Sequence, residues 1–178
     1  INKSIEREGQ DRYSLELPID QQEFIKELYK VNPNTVVVLV AGSSMAINWM
    51  DENVPAILNA WYPGEQGGNA VAEVLFGDYN PGGRLPLTYY NSLDELPAFD
   101  DYSVKNRTYQ YFEGKPLYEF GYGLSYTNFK YKKKSITQSN DTVDITFNLS
   151  NVGKYDGDEV AQVYVRYPET GTYMPLKQ

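Results

Sequence analysis

Hydrophobic residues recur with a helical spacing early in the chain and with a strand spacing near its end. After Pro18 the helical spacing predicts a helix over residues 20–30. The β-branched run over residues 35–41 predicts a strand, and its continuous apolar character predicts that both faces are covered. The chain therefore opens with an α/β unit. The apolar stripe of the predicted helix comprises Ile19, Phe24, Ile25, Leu28 and Val31.

A second strand and helix follow in the same order. Residues 56–61 predict a short strand, Pro63 and Gly64 end it, and residues 67–76 predict a helix. Residues 93–112 are predicted to be irregular and aromatic. The predicted buried face of the second helix comprises Val71, Val74 and Leu75.

Beyond Thr127 the apolar positions alternate, as in a strand with one buried face. A turn at residues 151–153 precedes another apolar run at 160–165, which we predict to be the next strand. A complete β-sandwich needs about seven strands in about 100 residues. We therefore expect an incomplete sandwich whose open edges favour a homo-oligomer. The alternating apolar residues are Val143, Ile145, Phe147 and Leu149.

Charge and composition narrow the chemistry. The chain has 16 basic and 24 acidic residues and a net charge of -8, which disfavours nucleic acid and anionic membranes as partners. It contains no cysteine or histidine, which excludes disulfides, the usual zinc ligands and histidine-based triads. No metal or cofactor is predicted, and no apolar run is long enough to span a bilayer. Acid/base chemistry must then use carboxylates, tyrosine or lysine.

A tight cluster of carboxylates and guanidiniums lies at residues 6–12, which read EREGQDR. Carboxylate catalysis of a substitution needs one neutral carboxyl that donates a proton to the leaving group and one ionised carboxylate that attacks the electrophilic carbon. This cluster provides only the first of these groups. Alternatively, the cluster is a solvated loop in which Asp11 and Arg12 pair with each other.

Four further segments carry a resemblance to a known family. They are residues 54–65 (VPAILNAWYPGE), 76–86 (FGDYNPGGRLP), 106–112 (NRTYQYF) and 116–126 (PLYEFGYGLSY). Together they resemble the later part of glycoside hydrolase family 3, which contains β-glucosidases, β-xylosidases and their relatives. Glu119 stands where proline is frequent in that family.

The resemblance implies a domain order. In the family a barrel domain supplies an aspartate nucleophile, an α/β sandwich domain supplies the acid/base glutamate, and a fibronectin-type-III-like domain often follows. We expect a partial α/β sandwich domain at residues 1–100, an aromatic and glycine-rich linker at 101–126, and an incomplete fibronectin-type-III-like sandwich at 127–178. A (β/α)₈ barrel needs roughly 250 residues, so we expect the barrel domain of the same enzyme as a partner outside this chain.

The resemblance also implies a catalytic residue. The segment EGQDR at residues 8–12 is similar to the family's Glu-Gly-x-Asp-Arg segment, which assigns the acid/base role to Glu8, with Glu6 as the alternative. The implied activity is a retaining, exo-acting β-glycosidase on oligosaccharides. Residues 54–126 resemble the β-xylosidase branch most, with β-glucosidase second. A non-catalytic fragment or carbohydrate-contacting module is the alternative, and we expect the parent enzyme to be periplasmic or secreted.

Aromatic residues are abundant, with 17 tyrosines and 2 tryptophans. Aromatic rings stack on the apolar face of a sugar, but tyrosine is also common in strands. Trp49 and Trp61 could therefore bind sugar or lie in the core, and no substrate-binding residue is assigned. We predict that most aromatic residues of the later segments pack between the two domains, namely Tyr109, Tyr111, Phe112, Tyr118, Phe120 and Tyr122.

Overall fold

The computed structural model describes Ile5 and residues 7–164, apart from the side chain of Lys134. Helix α1 spans Ile19–Val31, strand β1 Val36–Leu39, helix α2 Asn48–Asn53, strand β2 Ala56–Asn59 and helix α3 Gly67–Phe76. A 3-10 turn spans Leu93–Glu95, and helix α4 spans Thr108–Tyr111. Strands β3 and β4 span Phe129–Ser139 and Thr142–Asn151.

Strands β1 and β2 pair in parallel, with Val36 opposite Ala56 and Leu39 opposite Asn59. Parallel neighbours require a crossover connection, and here it contains α2. The predicted α/β arrangement of α1, β1, β2 and α3 is confirmed. Helix α2 was not predicted, because its 6 residues include two asparagines and two acidic residues and are too few to show a helical period.

The buried core gathers residues from β1, α2 and the loops beside them. The side chains of Met45 and Met50 are only 1% and 2% exposed, and truncating such side chains to alanine costs about 2–5 kcal/mol. Tyr89 exchanges backbone hydrogen bonds of 2.9 and 3.2 Å with Tyr118, which attaches the aromatic segment to this core. The core comprises Leu17, Val37, Leu39, Ala41, Met45, Ile47, Met50, Val54 and Tyr89.

The prediction that β1 is covered on both faces is wrong. Val37 and Leu39 are buried, whereas Val36 and Val40 are 46% and 45% exposed. Within the described part of the chain this sheet has two strands, and so small a sheet supports only one covered face.

The predicted helical stripes are also more exposed than expected. On α1 only Ile25 packs against the core. On α3, Val71 and Val74 are partly buried, but Leu75 is exposed. These helices are amphipathic as predicted, yet much of their apolar surface lacks a covering layer among the described residues. The exposed stripe residues of α1 are Ile19, Phe24, Leu28 and Val31.

Strands β3 and β4 form a long antiparallel hairpin, and the predicted strand containing Val143 to Leu149 is confirmed. Strand β3 was not predicted, because its lysine-rich sequence changes phase at a bulge between Lys133 and Ser135. The apolar side chains of β4 are 37–54% exposed. The predicted strand at 160–165 is not found, since residues 160–164 have no strand partner and residue 165 lies outside the described residues.

Polar contacts join the hairpin region to the α/β part. Arg84 forms an ion pair of 2.6 Å with Glu159, and the two side chains are 12% and 16% exposed. The Tyr131 hydroxyl donates to the same carboxylate at 2.9 Å. Asn80 donates to the Asp156 carbonyl oxygen at 2.9 Å and accepts from the Tyr126 N–H at 2.7 Å. These contacts tie the loop after α3 to the segments on either side of the hairpin.

No helix within the described ranges combines the length and apolar character needed to cross a membrane.

Candidate active site

Glu8 lies at the tip of a tight turn. The N–H of Arg7 donates to the Gln10 carbonyl at 3.1 Å, and the N–H of Gln10 donates back at 2.9 Å. Gly9 occupies the third turn position with φ of 74°, a left-handed conformation that favours glycine. The turn therefore holds the backbone of Glu8 while leaving its side chain exposed to solvent.

Glu6, the alternative acid/base residue, lies outside the described residues. Its role and that of Glu8 both stay predictions.

Arg12 connects the stem of this turn to the loop after β1. Its guanidinium donates to the Ser44 carbonyl oxygen at 2.6 Å and to Met45 Sδ at 2.7 Å. The N–H of Ala46 donates to the Leu15 carbonyl at 2.8 Å. Because Met45 is a core residue, these contacts position the Glu8 turn relative to the core.

The Glu8 turn is thus linked to the carboxyl-terminal edge of the parallel strands. Parallel strands end at one edge of a sheet, and ligands of open α/β sheets bind in the crevice outside that edge. At this edge Gly42 approaches Tyr62 so closely that an added Cβ would lie 2.6 Å from the tyrosine ring. Glycine at position 42 therefore allows the loops after β1 and β2 to meet.

Trp61, two residues after the end of β2, has φ of 53°. A left-handed backbone at a non-glycine residue costs of order 1–3 kcal/mol, and such strain clusters at functional sites. The sequence did not predict this conformation, because no neighbouring residue of Trp61 specifies a positive φ. The positive φ makes Trp61 a candidate residue in the loop after β2, whereas Trp49 packs against the core and lies edge-on to Tyr29 at 5.6 Å.

Tyr89 lies beneath the same region. Its hydroxyl accepts a hydrogen bond of 2.8 Å from Asn59 Nδ2. Burial raises the pKa of Tyr89, and the Asn59 hydrogen bond and the Arg12 charge oppose that shift. The tyrosine is therefore a neutral support for the end of β2 at physiological pH.

The aromatic residues of the later segments pack mainly with one another. Tyr109 stacks on Phe120 with ring centroids 4.4 Å apart, and Tyr118 stacks on Tyr122 at 4.9 Å. Tyr109 also contacts Tyr164, which follows the hairpin, at 6.1 Å. The predicted packing role is thus observed for Tyr109, and its contact with Tyr164 links the aromatic segment to residues beyond the hairpin.

Within the described part of the chain, no group of three or more acidic side chains is arranged to hold a metal ion.

The comparison with known families decides the identity of the chain. The profile of the glycosyl hydrolase family 3 C-terminal domain matches residues 1–126. The chain belongs to glycoside hydrolase family 3. The resemblance read from the sequence motifs is therefore confirmed.

Relatives in this family carry both xylosidase and glucosidase names. A xylan 1,4-beta-xylosidase of Xylanibacter ruminicola is 44% identical over 160 residues, covering 89% of this chain and 18% of that protein. A beta-glucosidase of Bacteroides ovatus is 36% identical over 192 residues, covering 96% of this chain and 26% of that protein. The chain thus spans about a fifth to a quarter of the length of these relatives.

The fold also matches a solved family member. The crystal structure of a beta-glucosidase from Kluyveromyces marxianus in complex with glucose aligns with a TM-score of 0.90 and 34% identity. The alignment covers 100% of this chain and 23% of that one. The mixed helix and sheet architecture is therefore that of a segment of the larger family fold.

Proposed function

We propose that this family 3 chain is part of a retaining, exo-acting β-glycosidase in which Glu8 is the acid/base residue. The observation that carries the proposal is the exposed Glu8 carboxylate on a hydrogen-bonded turn. Arg12 anchors that turn to the loop after β1. A carboxyl group held outward on a braced backbone suits proton transfer to a ligand bound against this face.

A retaining glycosidase uses two carboxyl groups, in general about 5–5.5 Å apart. In the first step a carboxylate attacks the anomeric carbon while Glu8 donates its proton to the departing glycosidic oxygen. In the second step Glu8, now ionised, removes a proton from the water that hydrolyses the glycosyl-enzyme. We propose that the attacking carboxylate belongs to a barrel domain of the same enzyme, outside this chain.

The barrel would also create the environment that the acid needs. A general acid active near neutral pH must keep its proton, and burial against apolar surface raises a carboxyl pKa. Glu8 is exposed in the described structure, so in this proposal docking of the barrel supplies the burial.

Terminal β-1,4-linked xylose is the proposed substrate, with β-glucosides second. The 44% identity to a protein named xylan 1,4-beta-xylosidase supports xylose. The beta-glucosidases at 33–36% identity keep glucose as the alternative.

We further propose that the β3–β4 hairpin begins a fibronectin-type-III-like sandwich. Its support is the half-exposed apolar face of β4, which a second sheet would cover in such a fold.

The test of the acid/base role uses the parent enzyme. Glu8→Gln should reduce xylobiose cleavage by about 10²–10⁴-fold, because the sugar leaving group needs a proton. An activated aryl xyloside needs no such assistance, so formation of the glycosyl-enzyme should survive. Added azide should then restore turnover and yield a xylosyl azide, since azide attacks without a general base.

Glu6→Gln is the matched control and should show normal xylobiose cleavage without azide rescue. Azide rescue in Glu6→Gln, with normal behaviour in Glu8→Gln, would transfer the role to Glu6. Rescue in neither variant would place the acid/base outside the 6–12 cluster.

The alternative proposal is a non-catalytic, carbohydrate-contacting module. It is favoured by the stacked rings of residues 109–122, because aromatic rings suit the apolar face of a sugar. A parent enzyme without a nucleophilic aspartate and without turnover would support this alternative.

A further inference from the structure

A cavity of about 450 Å³ lies against the aromatic segment. Its lining includes the rings of Tyr109, Phe112, Phe120 and Tyr164. Cavities of this size accommodate small organic ligands. The cavity shares no residue with the Glu8 turn or with the loop that Arg12 contacts.

Thr88 is one of the residues that line the cavity. Thr88 is only 7% exposed, and its Oγ1 has no hydrogen-bond partner among the described residues. A buried hydroxyl without a partner is unfavourable. A water molecule or a ligand hydroxyl that enters beside Thr88 would complete this hydrogen bond. No packing requirement explains a hydroxyl here, because valine has the same shape.

Gln162 and Glu119 add polar capacity to the same lining. The Tyr164 hydroxyl donates to Gln162 Oε1. The Gln162 amide nitrogen is consequently oriented by a neighbour and can donate to a ligand oxygen. Glu119 is exposed. Burial chiefly raises the pKa of Tyr164, and the neighbouring Tyr109 and the Glu119 charge add to that shift.

We propose that this cavity binds a neutral sugar ring, forming a saccharide site separate from the Glu8 turn. The choice of a carbohydrate rests on the proposed function. Aromatic walls suit the C–H faces of a pyranose, and the Thr88 hydroxyl, Gln162 amide and Glu119 carboxylate match its hydroxyl groups. The lining contains a carboxylate and no lysine or arginine, which disfavours anionic ligands.

Thr88→Val separates a binding role from a packing role. Removing a hydroxyl that lacks a protein partner should leave the melting temperature unchanged or raise it. In a saccharide site the same change should weaken sugar binding. If Thr88 had only a structural role, Thr88→Val would not weaken sugar binding while leaving stability equal or improved.

The experiment titrates xylobiose into the 178-residue chain and follows binding by saturation-transfer NMR and calorimetry. We expect saturable binding with a dissociation constant of about 1 mM. Thr88→Val should weaken it about three- to tenfold. Glu119→Gln should also weaken binding, while Glu113→Gln, a nearby exposed carboxylate outside the lining, should not.

Four outcomes would overturn the proposal. The first is an absence of saturable binding. The second is unchanged binding in both Thr88→Val and Glu119→Gln, and the third is loss of binding in Glu8→Gln; either would assign the sugar to another site. The fourth is displacement of xylobiose by millimolar choline, which would indicate a cation site formed by the same rings. None of these affects the azide test of Glu8, which is scored on turnover.

Discussion

At the scale of single residues, backbone conformation defines the candidate active site as much as side-chain chemistry does. The motif at residues 8–12 identified Glu8, but the structure explains why glycine follows it. Gly9 has φ of 74° and closes the turn by a reciprocal pair of hydrogen bonds. The sequence suggested that Arg12 could pair with Asp11, whereas the acceptors of Arg12 on the loop after β1 are remote in sequence and could be found only from the fold.

Gly9→Ala should lower the free energy of unfolding by about 1 kcal/mol, because a Cβ is disfavoured in the left-handed conformation. No atom lies within 4 Å of the added Cβ, so strain alone is responsible. Gly68→Ala on α3 is the matched control, since its Cβ also meets open space but the backbone is helical. The control should raise the free energy by about 0.5–1 kcal/mol. Denaturant unfolding of both variants provides the measurement. Changes of the same sign in the free energy of unfolding would contradict the explanation.

The Tyr118 hydroxyl, which donates to Asp51 at 2.5 Å, predicts a loss of stability in alkaline solution. Burial, followed by the Asp51 hydrogen bond, raises the pKa of Tyr118 above its ordinary value of 10.0. The unfolded chain then loses this proton before the folded chain does. The contribution of Tyr118 to stability is complete below pH 10 and declines as pH rises from about 10 toward the folded pKa.

Tyr118→Phe should therefore flatten the decline of unfolding free energy between about pH 9.5 and 11. Tyr13→Phe, at a side chain 95% exposed, controls for removal of a hydroxyl as such. A decline as steep in Tyr118→Phe as in the unaltered chain would show that other groups cause it.

At the scale of elements, the spacing of apolar residues predicted the regular helices and most strands. It failed for elements that are too short to show a period or whose formation depends on a pairing partner. Helices α1 and α3 and the strands β1, β2 and β4 follow from spacing. Helix α2 is too short to display a period, and β3 changes phase at its bulge. The run at 160–165 has the composition of a strand, but residues 160–164 pair with no strand among the described residues, and strand pairing depends on a neighbour that the run itself does not encode.

The ion pair between Arg84 and Glu159 should be the strongest polar link between the hairpin region and the α/β part. Arg84→Met leaves the Glu159 carboxylate, only 16% exposed, without its cation. We expect a loss of about 2 kcal/mol, below the 3–5 kcal/mol typical of fully buried pairs. Adding Glu159→Gln should recover much of that loss.

Lys30→Met is the matched control, because it breaks an exposed pair with Glu27 on α1. It should leave the melting temperature unchanged. If Arg84→Met and Lys30→Met lowered stability equally, burial of the Arg84–Glu159 pair would make no additional contribution to the free energy of unfolding.

The β3–β4 hairpin should exchange its amide protons faster than β1 does. Every residue of β4 is exposed, whereas β1 contains the buried Val37 and Leu39. Local opening of the hairpin should therefore require less free energy. Hydrogen exchange on a verified monomer measures the difference. Equal protection of residues 143–149 and 36–39 would show that the hairpin is covered as well as the core strand.

At the scale of the whole molecule, family membership could be predicted from the sequence, but the completeness of the site could not. Motifs distributed over residues 8–126 identified glycoside hydrolase family 3, and the profile match over residues 1–126 agrees. The motifs carry no information on where Arg12 binds, on the strained Trp61 or on the unpartnered Thr88 hydroxyl. These features arise from contacts between residues that are distant in sequence, so a local sequence motif cannot predict them.

The 178-residue chain alone should therefore hydrolyse aryl β-xylosides at no measurable rate. Among the described residues, Glu8 lies on an exposed turn and no second carboxylate is assigned to attack the anomeric carbon. A lone general acid provides only about 10²–10⁴-fold acceleration, far below the 10⁶-fold or more of complete enzymes. The assay follows release of the aryl group by the purified chain, with Glu8→Gln as the control for contaminating glycosidase. Turnover that persists through purification and disappears in Glu8→Gln would mean that the nucleophile lies within this chain, and the division of the catalytic pair between two domains would have to be abandoned.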